Sequence, residues 1–98
     1  MGSEMVIEIH DRDGAQVVMN ALQSYKDRLR SSIDRTHRLL AGFEKTYGVS
    51  TAPFLAHMAA EDLAGGDLEY VQWAGEAQLL KRLEAELKEL ENARCQLP

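Results

Sequence analysis

The chain has 98 residues, of which 45% are hydrophobic and 28% charged, with only two prolines. That balance excludes an intrinsically disordered chain and allows one domain, too small to bury a large core without a second copy or a partner. A formal charge of −5 argues against a nucleic-acid-binding basic stripe, and a single cysteine, Cys95, excludes an internal disulfide.

The charge is unevenly placed. Residues 11–48 carry seven Lys/Arg against five acids, and residues 49–98 carry four against nine. The longest nearly apolar run, residues 53–60, is far too short to span a membrane. No cationic segment followed by an apolar stretch opens the chain, so no signal peptide is expected. A cytoplasmic location is the expectation.

Residues 5–10, Met-Val-Ile-Glu-Ile-His, alternate as a short strand, with Met5, Ile7 and Ile9 on one face. A lone strand leaves its backbone unpaired. It is expected to need an edge from a second copy or another protein. Asp11-Arg12-Asp13-Gly14 reads as a turn that can cap a helix. Residues 1–10 are therefore an arm, and residues 11–98 a single domain.

From Ala15 the period changes to that of a helix. Ala15, Val18, Leu22, Tyr25, Leu29, Ile33, Thr36, Leu40, Phe43 and Tyr47 recur at spacings of three and four. The spacing predicts a helix over about 14–47, roughly 50 Å long. Gly48 suits the left-handed position that ends a helix, and Ser50 suits the N-cap of the next. Pro53 falls in the first turn of that helix, where a missing N–H costs nothing. The second helix is predicted over about 51–64, burying Phe54, Leu55, Met58 and Leu63, and Gly65-Gly66 ends it. Asp67 is the next N-cap candidate. A third helix is predicted over about 68–94. Its stripe is Val71 or Trp73, then Ala77, Leu80, Leu83, Leu87 and Leu90.

The order is arm, long helix, short helix, long helix. It predicts an all-α fold: a long, coiled-coil-like antiparallel hairpin with a short capping helix. Such a hairpin leaves apolar stripe uncovered, so a dimeric four-helix bundle is expected. The residues expected at an oligomer or partner interface are Val18, Leu22, Tyr25, Leu29, Phe54, Met58, Trp73, Leu80, Leu83 and Leu87.

Little here suggests chemistry. His10, His37 and His57 show no metal-ligand spacing. His57 sits four residues before Glu61 and suits a local pair. Glu86 and Glu89 are three apart, but the Glu-x-x-His motif of di-metal bundles is missing. Gly65-Gly66 lacks the strand and lysine of a phosphate loop. Ser31, Ser32 and Thr36 have no evident activating base, and Cys95 sits in a segment expected to fray. Neither enzyme activity nor a cofactor or metal is expected. Arg28, Arg35 and Arg38 share one side of the first helix, with Arg30 nearby. Pairing with Asp27, Asp34 or the acidic third helix is a simpler role for them than phosphate binding.

The segments "FEKTYGVSTAPFLAHM" and "GDLEYVQWAGEAQLLKRLEAEL" resemble a pattern found in small prokaryotic all-helical proteins of antitoxin-like type. The matching positions are Phe43, Glu44, Tyr47, Gly48, Ser50, Phe54, Gly66, Asp67, Tyr70, Trp73 and Leu80, within residues 39–87. Pro53 departs from the pattern, where an acidic residue is expected. The resemblance implies an antitoxin that occludes a small basic toxin-like protein and needs no catalytic residue. The expected function is thus a non-catalytic protein-interaction module. The alternatives are a homo-oligomeric structural bundle and, further off, a carboxylate-based metal binder or hydrolase.

Overall fold

The structure, a computed structural model, describes residues 6–57 and 67–96. It is mainly helical. In chain order it has a strand β1 (Val6–Glu8), a helix α1 (Arg12–Tyr47), a short helix α2 (Thr51–His57), a helix α3 (Asp67–Glu91) and a strand β2 (Arg94–Gln96). The chain groups into two compact units: Met1–Ser32 with Leu83–Pro98, and Ile33–Arg82. The domain expected over 11–98 has parts in both.

In the first unit, β1 and β2 pair in parallel, Val6 opposite Arg94, Ile7 opposite Cys95 and Glu8 opposite Gln96. Two expectations change here. The partner edge for the N-terminal strand comes from the same chain, not from another molecule. The third helix stops at Glu91 rather than near Arg94, and the residues beyond it are extended. The physical reason lies in the stripe, whose last apolar member is Leu90, 7% exposed. After it the Ala93 N–H donates to the Leu90 carbonyl at 3.1 Å, a tightened last turn. With no apolar residue at the next helical position, backbone pairing with β1 is the better outlet for these peptide groups.

Of the expected inward strand face, Ile9 is buried and Ile7 half-buried; Met5 lies outside the described residues. Helix α1 starts two residues earlier than expected because Asp11 caps it. The Asp11 carbonyl accepts the Ala15 N–H at 3.0 Å, and its Oδ1 accepts the Gly14 N–H at 2.6 Å. That is a full N-cap on the third helical N–H. Gly14 permits it: a Cβ there would lie 3.0 Å from the Asp11 carboxylate.

In the same unit Ile9, Ala15, Leu29 and Leu90 are buried, and polar contacts join its helical segments. The Tyr25 hydroxyl donates to Glu86 Oε1 at 2.5 Å. That bond, helped by desolvation, raises the Tyr25 pKa above its ordinary value. The Arg28 guanidinium sits 5.5 Å from the Tyr25 ring centroid. Arg30 pairs with Asp27 at 3.3 Å and with Glu91 at 3.4 Å. These pairs are about half exposed, so each adds only about 0–1 kcal/mol.

In the second unit, α1 ends, α2 follows and α3 begins. Tyr47 is the last helical residue, and Gly48 adopts φ +67°. Its N–H donates to the Glu44 carbonyl at 2.8 Å, closing the left-handed helix stop that the sequence predicts. Ser50 flanks α2, its carbonyl accepting the Phe54 N–H at 3.1 Å. Helix α2 is described only to His57. Met58, Leu63, Gly65-Gly66, the 58–64 part of the expected helix and the Glu61 end of the His57 pair lie outside the described residues. Leu55 was expected to be buried and is 38% exposed, because Phe54 alone takes the inward position of this short turn. The core is Leu40, Phe54, Trp73 and Ala77, with Phe43, Tyr47, Val49, Tyr70 and Leu80 packed against it. Phe43 and Tyr47 of α1 both stack on Trp73 of α3, which packs the two helices together within this unit.

Candidate functional site

The corner of the second unit is an aromatic stack centred on Trp73. Phe54 lies flat on the indole, with centroids 3.8 Å apart and planes 9° from parallel. Phe43 and Tyr47 stack at 5.4 and 5.8 Å, and Tyr70 meets Phe54 edge-on at 5.3 Å. Such pairs contribute about 0.5–1.5 kcal/mol each beyond burial. Of the two alternatives, Trp73 is the inward residue at the start of α3, at 0% exposed, and Val71 is 63% exposed.

A polar relay fixes the corner. The Glu44 carboxylate Oε2 accepts both the N–H and the hydroxyl of Thr51, each at 2.8 Å. The Thr51 hydroxyl in turn accepts the Trp73 indole N–H at 3.0 Å. So the first N–H of α2 is capped by an acid of the preceding helix, and the buried indole donor is satisfied. These two bonds hold the Glu44 carboxyl below its ordinary value, against the opposing effect of desolvation. Sequence reading missed this role. Capping rules look three residues ahead of a Ser or Thr, whereas Glu44 reaches across the turn to a residue seven positions on.

Beside the corner runs an open groove of about 310 Å³, lined by Arg38, Leu39, Gly42, Phe43, Thr46 and Glu69. On another side, α3 exposes Leu68 (67%) and Val71 (63%). One turn beyond Val71, a Cβ on Gly75 would meet nothing within 4 Å, and half-buried Leu79 follows. The spacing 68, 71, 75 and 79 places these four on one helix face.

The residues expected at an interface divide into two groups. Leu29 is 4% exposed and Phe54 and Trp73 are 0% exposed within the single chain, so these three are core and offer no surface to a partner. Val18, Leu22, Tyr25, Leu80, Leu83 and Leu87 are half-buried. Met58 lies outside the described residues. Of the arginines, Arg30 pairs with acids and Arg28 covers Tyr25, while Arg35 and Arg38 are exposed.

Among the described residues, no three His, Cys, Asp or Glu side chains lie together as metal ligands, and Glu86 is engaged by Tyr25. No helix among them is long and apolar enough to cross a membrane. What the arrangement provides is a closely packed aromatic corner, an open groove beside it and an exposed apolar face on α3. Comparison with protein-family models, curated proteins and solved structures finds no match to this chain.

Proposed function

We propose that the chain is a non-catalytic protein-interaction module, of the kind that acts as the antitoxin of a toxin–antitoxin pair by covering a basic partner protein. The observation that carries the reading is the outer face of α3, where Leu68 and Val71 stand about two-thirds exposed beside the open Gly75. Two large apolar side chains in helical register on a well-anchored segment are what a partner helix docks against. Covering what each still exposes is worth about 1–2 kcal/mol. The formal charge of −5 favours encounter with a basic partner over an acidic one. The antitoxin-like pattern of residues 39–87 supports the same reading.

The test is to identify the product of the neighbouring gene, which this reading expects to be a small basic protein, and to co-express it with this chain. The expected result is a stable complex and relief of the neighbour's toxicity. Leu68→Glu combined with Val71→Glu should abolish the complex while leaving Trp73 fluorescence unchanged. A neighbour that neither binds nor is neutralised would sink the proposal.

A further inference from the structure

The first turns of α1 carry no charge on any side. Gly14 to Tyr25 are twelve consecutive uncharged residues in a chain that is 28% charged, where about three charges would be usual. On the inward side this is ordinary, since Ala15 and Leu29 are buried and Leu22 is half-buried. The opposite side is uncharged too, although it faces water. Val17, Asn20, Ala21 and Ser24 are all exposed, Val17 at 66%. A surface helix normally carries its charges on that side.

Charge returns at both ends of this outer face. Asp13 stands four residues before Val17, and Arg28 four residues after Ser24. The series 13, 17, 20 or 21, 24 and 28 keeps helical spacing, so these residues share one face. Asp13 and Arg28 are exposed, and neither forms an ion pair among the described residues; Arg28 lies over the Tyr25 ring. Read along the helix, the face is an acid, an uncharged stretch holding Val17, and a base, over roughly 24 Å.

We propose that a second copy of this chain covers this face, antiparallel to the first. The two helices are related by a twofold axis near Asn20 and Ala21. Val17 of each then lies opposite Ser24 of the other, and Asp13 of each pairs with Arg28 of the other. The order of the charges is the argument for this occupant. Reversing one copy sets acid against base at both ends, so residue i meets j while j meets i, as an isologous interface requires. A parallel copy would set Asp13 against Asp13 and Arg28 against Arg28. The distribution of charge along the chain selects the same segment. Residues 49–98 carry four Lys/Arg against nine acids, so two copies meeting there bring acid against acid. Residues 11–30 hold four Lys/Arg against three acids, so two copies meet there with little net repulsion. The uncharged stretch also offers a basic partner no acid to pair with, which separates this surface in place and in chemistry from the outer face of α3.

The experiment is sedimentation equilibrium on the full chain, with Trp73 fluorescence and far-UV circular dichroism confirming the fold. The wild type should form a dimer with a dissociation constant of roughly 10–100 μM, in keeping with an interface at the small end of the range. Asp13→Arg and Arg28→Asp should each weaken the dimer roughly 10-fold or more, because each then holds two like-charge contacts. An equimolar mixture of the two variants should associate as the wild type does, because each altered charge faces its opposite in the other molecule. A contact within one chain cannot be repaired by mixing. Val17→Glu, at a position already largely exposed, should abolish the dimer and leave the fold intact. The proposal is overturned if the wild type is monomeric at roughly 0.5 mM, if its dimer ignores Val17→Glu, or if mixing the charge variants fails to restore association. Should either charge variant fail to fold, Val17→Glu decides alone: a lost dimer supports the proposal and an unchanged one refutes it. A monomer that still binds the neighbouring gene's product overturns this inference alone; a dimer that binds no partner overturns only the proposed function.

Discussion

Replacing Phe54 by Ala tests the account of the corner most directly. The ring is 0% exposed, lies 3.8 Å from the Trp73 ring centroid and meets Tyr70 edge-on at 5.3 Å. Helix α2 has only seven described residues, well below the length at which a helix holds itself together in water. Its place therefore depends on this side chain and on the Glu44 cap. Truncating a buried Phe to Ala costs about 3–5 kcal/mol from lost transfer energy and the cavity left behind. The whole stability of a chain this size is about 5–15 kcal/mol. At a urea m-value of about 1.5–2 kcal/mol/M, the midpoint should fall by about 2 M. Trp73 is the only tryptophan, so its fluorescence reports the unfolding of this unit and circular dichroism reports the helices as a whole. Phe54→Leu, which keeps more of the volume but loses the ring contacts with Trp73 and Tyr70, should cost less than Phe54→Ala, about 1–3 kcal/mol. A Phe54→Ala variant destabilised by less than about 1 kcal/mol, with unshifted Trp73 emission, would refute the reasoning.

Two further substitutions probe the same turn. Glu44→Ala removes the acceptor of both Thr51 donors and should cost about 1 kcal/mol, as for a lost N-cap. The Glu44 carboxyl is held below its ordinary value by those bonds. Its contribution is therefore complete above that value and is lost as pH falls through the lowered folded value. Urea unfolding should show a steady gap between wild type and Glu44→Ala near neutral pH that closes in acid; a gap surviving strong acid would contradict the cap. Gly48→Ala forces a side chain into φ +67° and should cost about 1–2 kcal/mol, read as a lowered melting temperature, with Gly48→Asn milder. An unchanged melting temperature for Gly48→Ala would mean the left-handed stop carries no strain.

The corner was legible because its signals are local. Gly48 after the last stripe residue and the three-four spacing up to Tyr47 need only a few neighbouring positions to read. The same spacing did not decide between Val71 and Trp73. Both fit a helical period, and the choice depends on a stack supplied by Phe43, Tyr47 and Phe54 from two other elements. The pairing of β1 was hidden for a similar reason. Arg94-Cys95-Gln96 carries no alternation or β-branched residue, and its strand conformation comes from the partner it meets.

The parallel pairing of β1 with β2 bears on the order in which the chain folds. The two strands lie nearly the whole chain apart, and closing a flexible loop of that length costs about 4 kcal/mol of chain entropy beyond a constant term. Three residue pairs cannot offset that on their own. The unit formed by Ile33–Arg82, by contrast, is one unbroken run of sequence whose contacts close shorter loops, at about 1 kcal/mol less entropy each, and many of them form together. It can assemble first and draw the flanking helix segments together, so that most of the closure entropy is already spent when Val6 meets Arg94. The strand pair is then the final latch of folding and the first contact to open, and its amide protons should exchange before those of the Trp73 corner.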